Sequence, residues 1–227
     1  MPWRPAASNR AGDHVWSPRV LFRLRDLVDA LLPPMCVACD GPVPSGGVVL
    51  CARCEESVEP PPAGMIAAAA FGGALADAVR RAKFSGDAAV AEALGRWWLA
   101  RIASSACPAL PDALDGVAFV PAPYRRRLAR GFDLPAVLAG ALAVSARVPV
   151  VDALACTRAD APLSFGADRA TRAAVVAGRY RARGSLAGRA LLLVDDVHTT
   201  GATLAEAARV IAGAGAAVHP CALAVAL

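Results

Sequence analysis

Leu191-Leu-Leu-Val-Asp-Asp-Val-His-Thr-Thr-Gly-Ala-Thr203 is the stretch on which the fold turns. Four consecutive large apolar residues, Leu191 to Val194, suit a strand buried on both faces, as in a parallel sheet covered by helices. Two acids close the run, and small and hydroxyl residues then open a helix predicted over Thr203–Ala212. In open α/β sheets, ligands bind beyond the carboxyl ends of the strands. A loop at a helix N-terminus offers free backbone N–H groups and the positive end of the helix dipole, which bind phosphate. Thr199, Thr200 and Thr203 add hydroxyl donors, while Gly201 lets the backbone approach an anion closely. Asp195 and Asp196 only accept hydrogen bonds when ionised, so they suit sugar hydroxyls or the hydration shell of Mg2+ better than phosphate. The combination describes a sugar phosphate, with the carboxylates for a ribose diol and the loop for a 5′-phosphate. A turn that merely caps a helix would rarely need two adjacent acids at a strand end.

These residues match the PRPP-binding motif of type I phosphoribosyltransferases at every defining position; PRPP is 5-phosphoribosyl 1-pyrophosphate. The resemblance makes Asp195 and Asp196 the catalytic acids, and Asp195, Asp196, Thr199, Thr200, Gly201, Ala202 and Thr203 the PRPP-binding residues. His198 falls at a position that the motif leaves variable, and it is not assigned as a base.

Working outward, strand-like and helix-like segments alternate. Ile66–Phe71 is a short apolar run, Gly73–Lys83 fits a helix, and Asp87 is placed to cap a second helix ending at Ser104. Trp97 and Trp98 are adjacent on that helix and cannot share one face, so one is assigned to the core and the other to an interface. Val117–Val120 reads as a strand, Leu134–Ser145 as an Ala-rich helix and Cys221–Leu227 as a last strand. This order argues an α/β domain with a mainly parallel sheet flanked by helices. The predicted organisation is a tail over residues 1–18, a helix and four-cysteine module over 19–58, and the α/β domain over 65–227. Glu59-Pro60-Pro61-Pro62 forms a stiff linker between the last two.

Of 227 residues, 55 are Ala, and this accounts for the high hydrophobic fraction of 56%. No stretch supplies about 18 uncharged apolar residues, so no membrane span is expected. Charges interrupt the first apolar segment at Arg23, Arg25, Asp26 and Asp29, which argues against a secretory signal and for a cytoplasmic, reducing setting. The net charge of +5 is unevenly spread. Between Arg125 and Arg189 twelve Arg face four Asp, whereas the rest of the chain is net acidic, and Lys83 is the only lysine. Arg matches phosphate oxygens with its planar fork, so this stretch suits a polyanion; the bland reading is a solvated cationic surface.

Cys36-x2-Cys39 and Cys51-x2-Cys54 are separated by eleven residues. Two such knuckles complete a tetrahedral, structural Zn2+ site, as in a zinc ribbon; a redox or disulfide role is the alternative. Cys107, Cys156 and Cys221 stand alone and read as buried thiols.

A third element, Val120-Pro-Ala-Pro-Tyr-Arg-Arg-Arg-Leu-Ala-Arg-Gly-Phe-Asp133, follows a strand. Together with the cysteine module, the acidic motif and Lys83-Phe84-Ser85-Gly86-Asp87, it makes the chain from about Met35 onward resemble the ComF family. That resemblance implies a phosphoribosyltransferase-like domain with an N-terminal zinc module, binding PRPP with Mg2+. It places the pyrophosphate against Pro121, Ala122, Pro123, Tyr124 and Arg125, with Arg130 nearby. It also implies help in handling single-stranded DNA during natural competence, with the competence helicase machinery as a partner. Three departures stand out: Asp133 and Leu134 replace an Asn-Gln pair, and Leu163 replaces a Gln in a basic loop from Thr157-Arg158 to Arg172. The competing functional readings are a pentosyl transferase with a small acceptor and a PRPP-sensing regulator. Arg169, Arg172, Arg179, Arg181 and Arg183 are the candidates for tracking a DNA backbone.

Overall fold

The computed structural model describes residues 34–44, 47–104, 106–157 and 176–226. The tail, the helix expected before Pro33 and most of the basic loop up to Arg172 lie outside these. Five parallel strands form the sheet in the order β1 (Ile66–Ala70), β7 (Ala217–Val225), β6 (Ala190–His198), β2 (Gly116–Phe119) and β3 (Val150–Val151). An antiparallel hairpin of β4 (Leu154–Cys156) and β5 (Tyr180–Ala182) stands apart from the sheet. The helices are α1 (Ala52–Glu56), α2 (Gly73–Ser85), α3 (Ala88–Ala103), α4 (Tyr124–Arg130), α5 (Leu134–Ala146) and α6 (Ala202–Gly213).

Side chains alternate across a strand, so β6 serves two cores. Leu192 and Val194 pack with α2, α3 and α5, while Leu191 and Leu193 pack with Leu204, Ala207 and Ile211 of α6 and with the hairpin. All four are fully buried, which is why the run is continuously apolar. Gly95 lets α3 and α5 approach closely, since a Cβ there would sit 2.9 Å from the Ala141 methyl. Asp87 caps α3 by accepting from Ala89 N at 2.9 Å and Val90 N at 3.3 Å.

Several boundaries differ from the sequence reading, each for a tertiary reason. β6 runs on to His198 because β7 keeps pairing with it, Asp195 opposite Ala222 and His198 opposite Val225. Its pairing with β2 stops at Val194, so the two acids still lie beyond the sheet on that side. β7 starts at Ala217 and includes Pro220. β1 joins only from Cys221, which leaves Pro220 on a stretch with one open side, where a missing N–H is accommodated. Trp97 and Trp98 are both buried. Trp97 fills a joint inside the chain: its Nε1 donates to Glu55 Oε2 at 2.7 Å, and the Arg101 guanidinium covers its ring at 5.0 Å.

The same Arg101 donates to Glu55 Oε1 and to the Ala68 carbonyl of β1, tying α1 and the sheet together. Cys36, Val43, Val49, Leu50 and Cys54 belong to the same apolar cluster as α2 and α3. The residues from Met35 onward accordingly make one compact unit. No single helix among the described residues is long and apolar enough to cross a membrane.

Candidate functional site

Chain direction fixes where the site lies. From β2 the chain moves outward through α5 to β3; from β6 it moves the other way through α6 to β7. The two crossovers cover opposite faces, so the gap between the carboxyl ends of β2 and β6 is a topological switch point, where α/β sheets bind ligands. A cavity of about 710 Å³ opens there. Val120 to Pro123, just past β2, line it from one side, and Asp195, Asp196 and Val197 of β6 from the other.

Alternation along β6 sends the two carboxylates to opposite sides. Asp196 follows Val194 toward α2, where Lys83 Nζ donates to its Oδ1 at 2.8 Å. Asp195 follows Leu193 toward the hairpin and is 7% exposed. Burial, then the charge on Asp196, pushes its carboxyl up to about 8. Its Oδ1 accepts the Asp196 backbone N–H at 2.8 Å.

The Pro-framed turn is held from below. Asp133 stands at the N-cap position of α5 but makes no cap bond; its Oδ2 instead accepts Ala122 N–H at 2.9 Å. Asp133 is 8% exposed, its Oδ1 has no hydrogen-bond partner, and burial pushes its carboxyl up to about 6. After the turn, the Pro123 carbonyl accepts from Arg126 N and Arg127 N and starts α4, a helix with no buried residue. Helical spacing then decides which arginines face the cavity. Arg126 and Arg130 are four apart and line it together, whereas Tyr124 and Arg125 do not. The expected pyrophosphate loop is thus a turn only through Pro123, and of the arginines that follow it Arg126 and Arg130, not Arg125, line this cavity.

The hydroxyl loop divides. Thr203 lines the acidic cavity, while Thr199, Thr200, Gly201 and Ala202 line an adjoining cavity of about 600 Å³ with Glu206 and Arg209. Gly201 has φ 76°, and a Cβ on it would fall 2.6 Å from His198 Nε2, so only glycine fits this helix start. His198 packs on that glycine, and its Nδ1 is buried without a hydrogen-bond partner.

Among the wall residues outside the expected site, Lys83, Arg126, Arg179 and Tyr180 carry the polar side chains. Lys83 is the only lysine and opens the Lys83–Asp87 segment that carries part of the family resemblance, and these are the signals that point to it. Arg179, a candidate for tracking a DNA backbone, is 6% exposed and lines the cavity. Arg181 is exposed, and Arg183 donates to Leu154 O and faces Asp152 at 3.5 Å.

At the other end of the chain, the Sγ atoms of Cys36, Cys39, Cys51 and Cys54 all lie within 4.8 Å of one another, so they could hold a metal ion such as zinc. Cys107 and Cys221 are buried; Cys156 is half-buried.

A switch-point cavity with paired acids on a central parallel strand defines a protein of the phosphoribosyltransferase fold, and the phosphoribosyl transferase domain model matches residues 133–226. The similarity extends further toward the N-terminus in whole-chain comparison. The chain is 30% identical over 169 residues to the DNA utilization protein YhgH of Escherichia coli K12, covering 74% of this chain and 73% of that protein. The YhgH protein of Shigella flexneri matches over the same shares at 30%, and that of Escherichia coli O6:H1 at 31% over 170 residues. The chain belongs to the ComF family.

Proposed function

We propose that the chain binds PRPP across the carboxyl ends of β2 and β6, and that it takes part in handling single-stranded DNA. One observation carries the first half: two carboxylates share a cavity with Lys83, Arg126 and Arg130 on one side and Thr203 on another. The ribose diol donates to Asp195 and Asp196. The pyrophosphate lies against the Pro121–Pro123 turn and the α4 arginines, whose charge offsets its own. Asp196 is already engaged by Lys83 and Asp195 is deeply buried, so this donor set fits Mg2+ through its water shell or through the PRPP diol. Bound there, Mg2+ would supply charge neutralisation for the pyrophosphate. If the group is transferred, the C1–O bond breaks toward pyrophosphate through an oxocarbenium-like state, and Arg126 and Arg130 stabilise the departing anion.

The DNA half rests on kinship with proteins named for DNA utilisation and on the exposed face of α4. Tyr124 and Leu128 are 67% and 69% exposed and sit among arginines, the mixture that stacks bases and follows phosphates. The four thiols suit zinc: Cys39 and Cys51 Sγ are 3.7 Å apart, and bonds of about 2.3 Å in a tetrahedron set sulfurs about 3.8 Å apart. A reducing, cytoplasmic setting keeps such thiols available.

Calorimetric titration with PRPP, with and without Mg2+, tests the site; absence of binding by wild type, or unchanged binding by a folded Asp195→Ala/Asp196→Ala double variant, refutes it. Pyrophosphate release with candidate acceptors separates transfer from binding. Salt-dependent binding of single-stranded DNA tests the second half. The log–log slope should fall by about 0.7 for each phosphate-contacting arginine replaced.

A further inference from the structure

Arg179 is the one buried cation among the described residues. Its backbone holds the local structure: its N–H donates to Val176 O at 3.0 Å, and its carbonyl accepts from Thr157 N at 2.8 Å and Thr157 Oγ1 at 3.0 Å. Its side chain does little of that work. Nε has no hydrogen-bond partner, the guanidinium interacts with the Tyr180 hydroxyl, and no carboxylate among the described residues lies within ion-pair distance. The neighbouring Tyr180 hydroxyl stays neutral, because burial holds its proton. A guanidinium cannot shed its charge, so one stripped of water without a counter-ion is a standing cost to the fold.

The guanidinium lines the same cavity as the carboxylate pair. Gly178 beside it donates to Glu206 Oε1 of α6 at 2.8 Å, and Tyr180 packs in the α6 core. Arg179 therefore reaches the cavity from the α6 side, on Asp195's side of β6. Lys83, Arg126 and Arg130 reach it from α2 and α4. Cations flank the carboxylates on two sides, which matches a ligand with a diol between two anionic ends.

We propose that Arg179 is the binding residue for the phosphomonoester end of the ligand, its fork taking two phosphate oxygens on the α6 side near Thr203, while Arg126 and Arg130 take the pyrophosphate. The identity of the ligand rests on the PRPP reading; the need of Arg179 for a phosphate does not.

The test uses the full chain with Arg179→Met, which keeps volume and removes charge, and Arg179→Lys, which keeps charge and removes the fork. PRPP, ribose 5-phosphate and pyrophosphate are titrated, and melting is followed with and without inorganic phosphate. Arg179→Met should weaken PRPP and ribose 5-phosphate alike, on the order of 10- to 100-fold, and leave pyrophosphate unchanged. Arg179→Lys should recover part of the loss. Without ligand, Arg179→Met should melt at or above the wild-type temperature, because an uncompensated charge has gone. Unchanged ribose 5-phosphate affinity, an equal loss for pyrophosphate, or a lower melting temperature without ligand overturns the assignment. If wild type binds no PRPP, the PRPP reading fails by itself. The assignment then stands if inorganic phosphate stabilises wild type but not Arg179→Met, and falls if it stabilises neither.

Discussion

Lys83 Nζ donates to Asp196 Oδ1 at 2.8 Å across 113 residues of sequence, joining the last turn of α2 to the strand that carries the acids. Their side chains are 23% and 15% exposed, so water screens the pair only partly. Removing the cation leaves the largely buried Asp196 side chain without its ion-pair partner and close to Asp195. Lys83→Met should therefore cost about 1–3 kcal/mol, seen as a lower denaturation midpoint with unchanged slope. The double variant Lys83→Met/Asp196→Asn should recover part of that loss. Additive effects would show that the contact does not couple the two residues.

Asp195 makes stability fall with rising pH. An unfolded Asp titrates near about 4. In the folded chain burial, then the charge of Asp196, hold the proton up to about 8. The folded state thus binds the proton more tightly, so the group favours folding while protonated and penalises it as pH climbs from about 4 through 8. Asp195→Asn removes the penalty. Melting curves of the two proteins should separate in favour of the variant as pH rises from 5 to 9; curves that stay parallel count against the assignment.

The cysteine module is coupled to the main core through α1, which follows Cys51 and contains Cys54 and Glu55. Glu55 receives both Trp97 Nε1 and Arg101. Stripping the metal with a chelator should therefore red-shift tryptophan emission and lower the melting temperature together. Metal analysis should find one zinc per chain, lost in Cys36→Ser. Zinc loss with an unaltered spectrum would mean that the module is independent of α3.

Local chemistry made the frame readable. The four-residue apolar run of β6, the Asp87 cap and the paired acids each declare their role within a few residues of sequence. What stayed hidden depends on distant partners. Arg125 and Arg126 differ in sequence by nothing except helical phase, which appears only once Pro123 starts α4. Arg179 is one arginine among many until the hairpin turns it inward. Asp195 and Asp196 look like one feature in the sequence, yet the strand pleat gives them different neighbours: Lys83 for Asp196, and for Asp195 a buried wall that pushes its carboxyl up.

Asp133, where the family resemblance implies an amide, offers the sharpest test of what holds the turn. Its Oδ2 holds Ala122 N–H, and an amide oxygen would do the same, so Asp133→Asn should keep the Pro121–Pro123 turn in place. The exchange also removes a buried acid that burial holds near 6, so that it carries negative charge at neutral pH. That charge opposes an incoming pyrophosphate. Asp133→Asn should therefore tighten PRPP several-fold at pH 7.5, with little change for ribose 5-phosphate, and the gain should shrink below pH 6 as the wild-type acid takes up its proton. Asp133→Ala should behave differently. With nothing accepting from Ala122 N–H, the turn loosens, and PRPP and pyrophosphate weaken while ribose 5-phosphate is spared. If Asp133→Asn instead weakened PRPP as much as Asp133→Ala, the carboxylate's charge, and not its hold on the turn, would be what the site uses.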